Sequence, residues 1–80
     1  MIPLYGFLQG DTIGLVVLAD EGDTMAVLAR KLGSAASVRV AGAGEAERVV
    51  EVRGQRVAAG LTVRQVGLGA LDRFDVREAG

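Results

Sequence analysis

Three groups of residues in this sequence have types and spacings that could do chemistry. The carboxylates of Asp20, Glu21 and Asp23 lie close together in the chain, and hard cations such as Ca²⁺ prefer oxygen ligands. A second group is the glycine-rich segment 41–46, which has the composition of loops that hold phosphate groups. The third is the terminal glycine, Gly80. What each group can do depends on the elements that position it.

The first two groups have a structural interpretation that we prefer. Acidic residues before a helix usually cap its free N–H groups and interact favourably with its dipole, and a helix is predicted directly after Asp23. A phosphate-binding loop needs a following helix and usually a Lys-Ser/Thr pair, and neither follows segment 41–46. The sequence therefore predicts no metal-binding and no cofactor-binding residue in this chain.

The composition excludes several classes of function. The 80 residues include no cysteine and no histidine, so the chain lacks thiol nucleophiles, the commonest general base and the commonest metal ligand. We predict that it is not an enzyme, has no catalytic residue and binds no small-molecule substrate alone. Nine basic and ten acidic residues give a net charge of −1, and aromatic residues are only 4% of the chain, so nucleic acid is not an expected partner.

Length and hydropathy suggest a single domain, residues 1–80, in the cytoplasm. The longest apolar run, Leu15–Ala19, is too short to cross a bilayer, so no membrane association is expected. No positively charged segment precedes an apolar one at the N-terminus, so no signal peptide is expected.

The first half of the sequence predicts a β-hairpin followed by a helix. Two apolar runs, 2–9 and 13–19, flank a Gly10-Asp11 turn, and this register pairs Gln9 with Thr12, Leu8 with Ile13 and Tyr5 with Val16. Thr24 or Asp23 then caps a helix that begins near Met25 and ends at Gly33 or Ala36. Its apolar stripe consists of Met25, Leu28, Ala29, Leu32 and Ala36.

The second half predicts short strands around one helical turn. The predicted elements are a strand over Ser37–Val40, a loop over 41–46, a strand over Arg48–Arg53, a Gly54-Gln55 turn with a brief return at Val57, a helical turn over Thr62–Val66 and a closing strand over Arg73–Arg77. This order, β-β-α-β-β-(short helix)-β, predicts an α+β domain of the β-grasp (ubiquitin-like) type. It has a mixed sheet of four to five strands, one main helix on one face, and parallel first and last strands.

Within the ubiquitin-like proteins, the sequence resembles the small gamma subunit, or system protein B, of bacterial toluene-type multicomponent diiron monooxygenases. The motifs that carry this resemblance are Pro3 with Phe7, Asp11, Leu15-Val16-Val17-Leu18, Asp20, Asp23-Thr24-Met25, Ala29 with Lys31, Val38-Arg39-Val40-Ala41, Val50-Glu51-Val52-Arg53, Leu61-Thr62-Val63, Gly67-Leu68 and Phe74-Asp75-Val76. The resemblance covers nearly the whole chain.

The resemblance implies a non-catalytic subunit that docks on and helps stabilise a hydroxylase oxidising aromatic or alkene hydrocarbons. The expected partners are the large and second subunits of that hydroxylase, and the expected diiron centre lies in the partner. The absence of histidine agrees with this, because such a centre uses Glu-x-x-His pairs on the helices of a bundle.

An excess of apolar residues in the hairpin predicts the partner-binding surface. Alternation places Leu4, Gly6, Leu8, Ile13, Leu15 and Val17 toward the helix, which leaves Tyr5, Phe7, Val16 and Leu18 on the opposite face, with Val49 as a neighbour. An uncovered apolar face often marks an interaction site. Arg39, Arg53 and Arg73 are candidates for its polar rim, since arginine is favoured at interfaces.

A second function stays open from the sequence alone. Sulfur carriers and modifiers of the ubiquitin-like class act through a C-terminal Gly-Gly, and this chain ends Ala79-Gly80. The alternative is therefore a sulfur carrier or adaptor acting through its C-terminus.

Overall fold

A computed structural model describes residues 1–11, 13–36 and 48–78. In these ranges the chain forms five strands and two helices: β1 Ile2–Leu8, β2 Leu15–Ala19, α1 Met25–Ala36, β3 Arg48–Val52, β4 Gln55–Val57, α2 Val63–Val66 and β5 Arg73–Glu78. The strands form one sheet in the order β2-β1-β5-β3-β4. The predicted strand over Ser37–Val40 and the loop over 41–46 lie outside the described residues.

The pairing of the first and last strands makes the fold a β-grasp. Strand β1 runs parallel to β5 at the centre of the sheet, with Tyr5 opposite Arg73 and Leu8 opposite Val76. The other pairs, β1 with β2, β3 with β5 and β3 with β4, are antiparallel. Helix α1 lies in the long connection that a parallel pair needs. The predicted mixed sheet with one main helix is confirmed.

The hairpin has the predicted register but a longer connection than predicted. Tyr5 pairs with Val16, and the ladder ends at Gly6 and Leu15 instead of continuing to Leu8 and Ile13. The Asp11 N–H donates to the Leu8 carbonyl, and the Asp11 carboxylate accepts from the Ile13 N–H, so local bonds replace the ladder here. Ile13 is 54% exposed, and its predicted place toward the helix is wrong.

Helix α1 packs its predicted stripe on the sheet, and it runs on to Ala36. All five stripe residues are buried, together with Leu4, Val17 and Phe74 of the sheet. The two predicted capping residues have separate roles. The Thr24 hydroxyl oxygen accepts from the Val27 N–H (3.2 Å), whereas the Asp23 carboxylate accepts from the Asp20 N–H and from Lys31.

The turn between β3 and β4 begins one residue earlier than predicted. Its central residues are Arg53 and Gly54, with φ of 53° and 78°, and the predicted Gly54-Gln55 turn is wrong because Gln55 already pairs with Val52. Two successive positive φ values are typical of a type I′ turn, whose twist suits a tight hairpin. After β4, Thr62 caps α2 in a capping box with Gln65, as the predicted helical turn requires.

Candidate functional site

The side of the sheet that faces away from α1, here called the outer face, carries the candidate site. The register places Tyr5 beside Val16 and Pro3 beside Leu18. Tyr5, Val16 and Leu18 are 41%, 54% and 52% exposed, and we call these three residues the apolar patch. They are exposed because, within the described ranges, helices cover only one side of the sheet, and these residues alternate with buried ones. The structure therefore brings together three of the predicted partner-binding residues.

Phe7 lies at the border of the apolar patch and is half-buried. Its ring lies so close to the backbone of Gly14 that a Cβ there would be 2.5 Å from the ring Cζ atom. The Arg73 guanidinium covers the ring at 4.1 Å from its centroid, a cation–π arrangement. Phe7 is therefore a support for Arg73 and contributes less exposed apolar surface than predicted.

Arg73 is held in place from a second direction. Its single Nε–H is shared between the two carboxylate oxygens of Asp75, and a terminal nitrogen donates a further hydrogen bond, 2.9 Å long, to the same carboxylate. These hydrogen bonds and the charge of Asp75 raise the pKa of Arg73. A second ion pair, Arg77 with Glu51 at 3.2 Å, follows on the same face. The half of the outer face that β5 and β3 form thus carries two ion pairs. The charges of these four residues sum to zero.

The other predicted partner-binding residues do not join the apolar patch. Val49 is on the outer face, but it is half-buried on β3 beside Arg77, and β5 separates it from β1. Arg53 is exposed in the β3–β4 turn. Arg39 lies outside the described residues.

Sequence reasoning missed the contact between Phe7 and Gly14 and the ion pair that fixes Arg73. A glycine next to an apolar strand is a known sign of close approach and could have drawn attention to position 14. The pairing of Arg73 with Asp75 follows the side chains' conformations, which alternation alone does not specify.

The residues that the structure describes do not provide the ligands of a diiron centre. The sequence contains no histidine, and in the described ranges no three Asp or Glu residues are arranged to hold a metal ion. In the acidic group, Asp23 forms a 2.7 Å ion pair with Lys31, and its pKa is lowered by the hydrogen bonds from Lys31 and the Asp20 N–H. This carboxylate serves the turn before α1.

No helix among the described residues is long and apolar enough to cross a membrane.

The parallel β1–β5 pair, the single helix across the sheet and the short capped α2 define a ubiquitin-like β-grasp domain. A profile of the family described as toluene-4-monooxygenase system protein B (TmoB) matches residues 1–77. The chain belongs to this family, as its sequence motifs indicated, and it is therefore a component of a monooxygenase complex.

Solved structures agree with this fold. A chain of the toluene 4-monooxygenase HD complex with the inhibitor 4-bromobenzoate superimposes with a TM-score of 0.86 at 20% identity, covering 98% of each chain. Ubiquitin of Caldiarchaeum subterraneum has a TM-score of 0.75 at 11% identity, covering 99% of this chain and 94% of its own. ATBAG1 in complex with HSP70 gives 0.76 at 7% identity, covering 98% of this chain and 40% of that one. No curated protein sequence matches significantly.

Proposed function

We propose that this chain is a non-catalytic cytoplasmic subunit that docks on the hydroxylase of a multicomponent diiron monooxygenase and helps to stabilise it. The reaction would be the oxidation of aromatic or alkene hydrocarbons, and the partners would be the large and second subunits of the hydroxylase. Membership of the system protein B family supports the assignment to such a complex. The similar chain of the toluene 4-monooxygenase HD complex supports it further.

The observation that carries the docking role is the apolar patch. Exposed Tyr5, Val16 and Leu18 adjoin one another on the side of the sheet that α1 leaves uncovered. Aromatic residues are enriched at the centres of protein interfaces. Burial of apolar surface contributes a favourable free energy of roughly 25 cal/mol per Å² before the costs of association are subtracted. Arg73 borders the patch and is already held by Phe7 and Asp75. Because its side chain is ordered in the free chain, binding would cost it little further conformational entropy.

The proposal assigns the iron and the substrate pocket to the partner. When bound there, a diiron centre supplies the activation of oxygen. This chain supplies a surface, since it has no histidine to complete the Glu-x-x-His ligand pairs of such centres.

The experiment is co-purification of the tagged chain with the hydroxylase subunits from a co-expressing strain. We expect Tyr5→Asp and Val16→Asp each to weaken binding by at least about tenfold, because a charge would be buried in an apolar contact. Leu61→Asp is the control: this exposed apolar residue lies beside the start of α1, where its carbonyl accepts from the Met25 N–H.

The outcomes separate the proposal from its alternative. Binding that survives both patch substitutions, with folding confirmed by circular dichroism, would contradict docking through the outer face. Capture of an adenylating enzyme together with a thiocarboxylate on Gly80, seen by intact mass, would instead establish the sulfur-carrier function.

A further inference from the structure

Strand β2 forms one edge of the sheet. The hydrogen bonds between β1 and the β5 side show which backbone groups of β1 remain to bond to β2, and therefore which groups of β2 point to the open edge. The Pro3 carbonyl accepts from the Leu71 N–H, the Tyr5 N–H donates to the Asp72 carbonyl, and the Gln9 N–H donates to the Val76 carbonyl. The odd-numbered residues of β1 therefore turn their backbone groups toward β5. By alternation, Ile2 and its even-numbered neighbours bond to β2.

The register then shows which backbone groups of β2 point away from the sheet. Ile2, Leu4 and Gly6 pair with Ala19, Val17 and Leu15, which leaves Val16 and Leu18 directed toward the open edge. An independent contact agrees: the Leu18 carbonyl accepts a 2.9 Å hydrogen bond from Lys31 Nζ, which reaches it from α1.

The residues that the structure describes cover only part of this edge. Lys31 takes the Leu18 carbonyl, and the Asp23 carboxylate takes the Asp20 N–H, 3.0 Å away. Lysine at a sheet edge is a common means of preventing uncontrolled strand pairing. The Val16 N–H, the Val16 carbonyl and the Leu18 N–H make no hydrogen bond to another strand among the described residues, because β2 is the last strand on this side.

The two sides of the open edge have different chemistry. On the outer face, the side chains of Val16 and Leu18 are exposed and belong to the apolar patch. On the helix side, Lys31 reaches the Leu18 carbonyl and pairs with Asp23, whereas Arg30 lies on the other flank of α1, toward β3 and β4. A strand added here would place alternate side chains beside Val16 and Leu18 on the outer face.

We propose that a short extended segment of the hydroxylase adds to β2 as a further strand, with alternate apolar side chains beside Val16 and Leu18. This deepens the proposed function and rests on it, since it names how the same partner binds. Strand addition combines main-chain hydrogen bonds with alternating side-chain contacts, so edge and patch would act as one continuous surface.

The test removes an outward N–H without altering the hairpin. Proline is tolerated at an edge position whose N–H faces solvent, so Val16→Pro keeps the β1–β2 bonds and an apolar side chain but deletes one donor and blocks the edge. We expect about tenfold weaker binding to the hydroxylase, as for the loss of one or two interface hydrogen bonds. Val16→Thr keeps the donor and the shape and therefore measures the effect of the side chain alone, so Val16→Pro must bind more weakly than Val16→Thr.

The results distinguish this proposal from the proposed function. If Val16→Pro and Leu18→Pro bind as the wild type does while Tyr5→Asp does not, strand addition is wrong and docking through the patch stands. If Tyr5→Asp and Val16→Asp also bind normally, docking through the outer face is contradicted as well, and the proposed function itself fails only if the wild-type chain does not bind the hydroxylase. Should the proline variants unfold, hydrogen exchange of the wild-type complex decides: the Val16 and Leu18 amides must become protected by at least about tenfold, and unchanged exchange overturns the proposal.

Discussion

At the scale of single residues, the outer face is organised by contacts around one phenylalanine. Phe7 supports the guanidinium of Arg73 on its ring face, and its edge occupies the space above Gly14. Arg73 in turn is bound by Asp75. A residue that looked like part of an exposed apolar surface therefore positions a charged group beside that surface.

Gly14→Ala tests this arrangement. The new methyl group would lie 2.5 Å from the Phe7 ring, so the ring must move and lose its contact with Arg73. We expect the free energy of unfolding to fall by about 1–3 kcal/mol, the usual cost of overpacking, measured by urea denaturation. Gly22→Ala is the control, because nothing lies within 4 Å of the added methyl group and its effect should be within about 0.5 kcal/mol. Equal effects of the two substitutions would contradict the described contact.

The Asp23 carboxylate makes the free energy of unfolding decrease as the pH falls. Its pKa lies below the ordinary value of 3.8 because Lys31 and the Asp20 N–H donate to its charged form. The unfolded chain takes up this proton first as the pH falls, so the stabilisation is complete above about pH 4 and is lost as the pH drops through the lowered pKa. We expect Asp23→Asn to destabilise the chain at about pH 7 more than at about pH 2.5, measured by urea denaturation at both. A loss of the same size at the two pH values would exclude the ion pair as its cause.

At the scale of elements, the packing of α1 on the sheet depends on a close approach at Gly6. A Cβ at this position would lie 2.8 Å from Cζ of Phe74 and 3.0 Å from both Cδ atoms of Leu32, two side chains that are fully buried. Gly6 therefore lets the helix and β5 meet directly over β1.

Gly6→Ala should force these elements apart and lower the free energy of unfolding by about 1–3 kcal/mol. Gly60→Ala, with open space around the added methyl group, should have little effect. Thermal denaturation followed by circular dichroism measures both. A Gly6 variant as stable as the wild type would mean that Phe74 and Leu32 reposition freely.

The elements also show where sequence patterns succeed. The stripe from Met25 to Ala36 specified the buried face of α1, because helical spacing brings those positions together whatever the rest of the chain does. The turn at Arg53 was misplaced, since a non-glycine residue with positive φ gives no signal in composition. The connection after Leu8 was misjudged because Asp11 forms local bonds that compete with the hairpin ladder.

At the scale of the whole molecule, the last strand holds the fold together. β5 lies between β1 and β3, and its Phe74 and Val76 are fully buried. A domain of 80 residues has a stability of only about 4–12 kcal/mol, and truncation of one buried phenylalanine costs about 3–5 kcal/mol. Loss of β5 would also leave β1 and β3 without their shared partner.

We therefore expect a chain that ends at Asp72 to show no cooperative unfolding transition by circular dichroism. A chain that ends at Glu78 is the control: it keeps the hydrogen bond from the Glu78 N–H to Gln9 and should fold and bind the hydroxylase normally. Cooperative unfolding of the shorter chain would show that β5 is dispensable. Loss of hydroxylase binding by the longer one would give the terminal residues a role that the proposed function does not include.

The sequence by itself determined the β-grasp architecture and the family, because spacing, turn residues and short motifs are local properties of the chain. It also identified Tyr5, Val16 and Leu18 as outward-facing, since alternation along a strand needs only one known register. Tertiary structure alone decided that Val49 is separated from the apolar patch, that Phe7 lies beneath Arg73, and that Val16 and Leu18 direct their backbones to an open edge. These features depend on which strands become neighbours and which side chains meet across them, and no single segment of sequence contains that information.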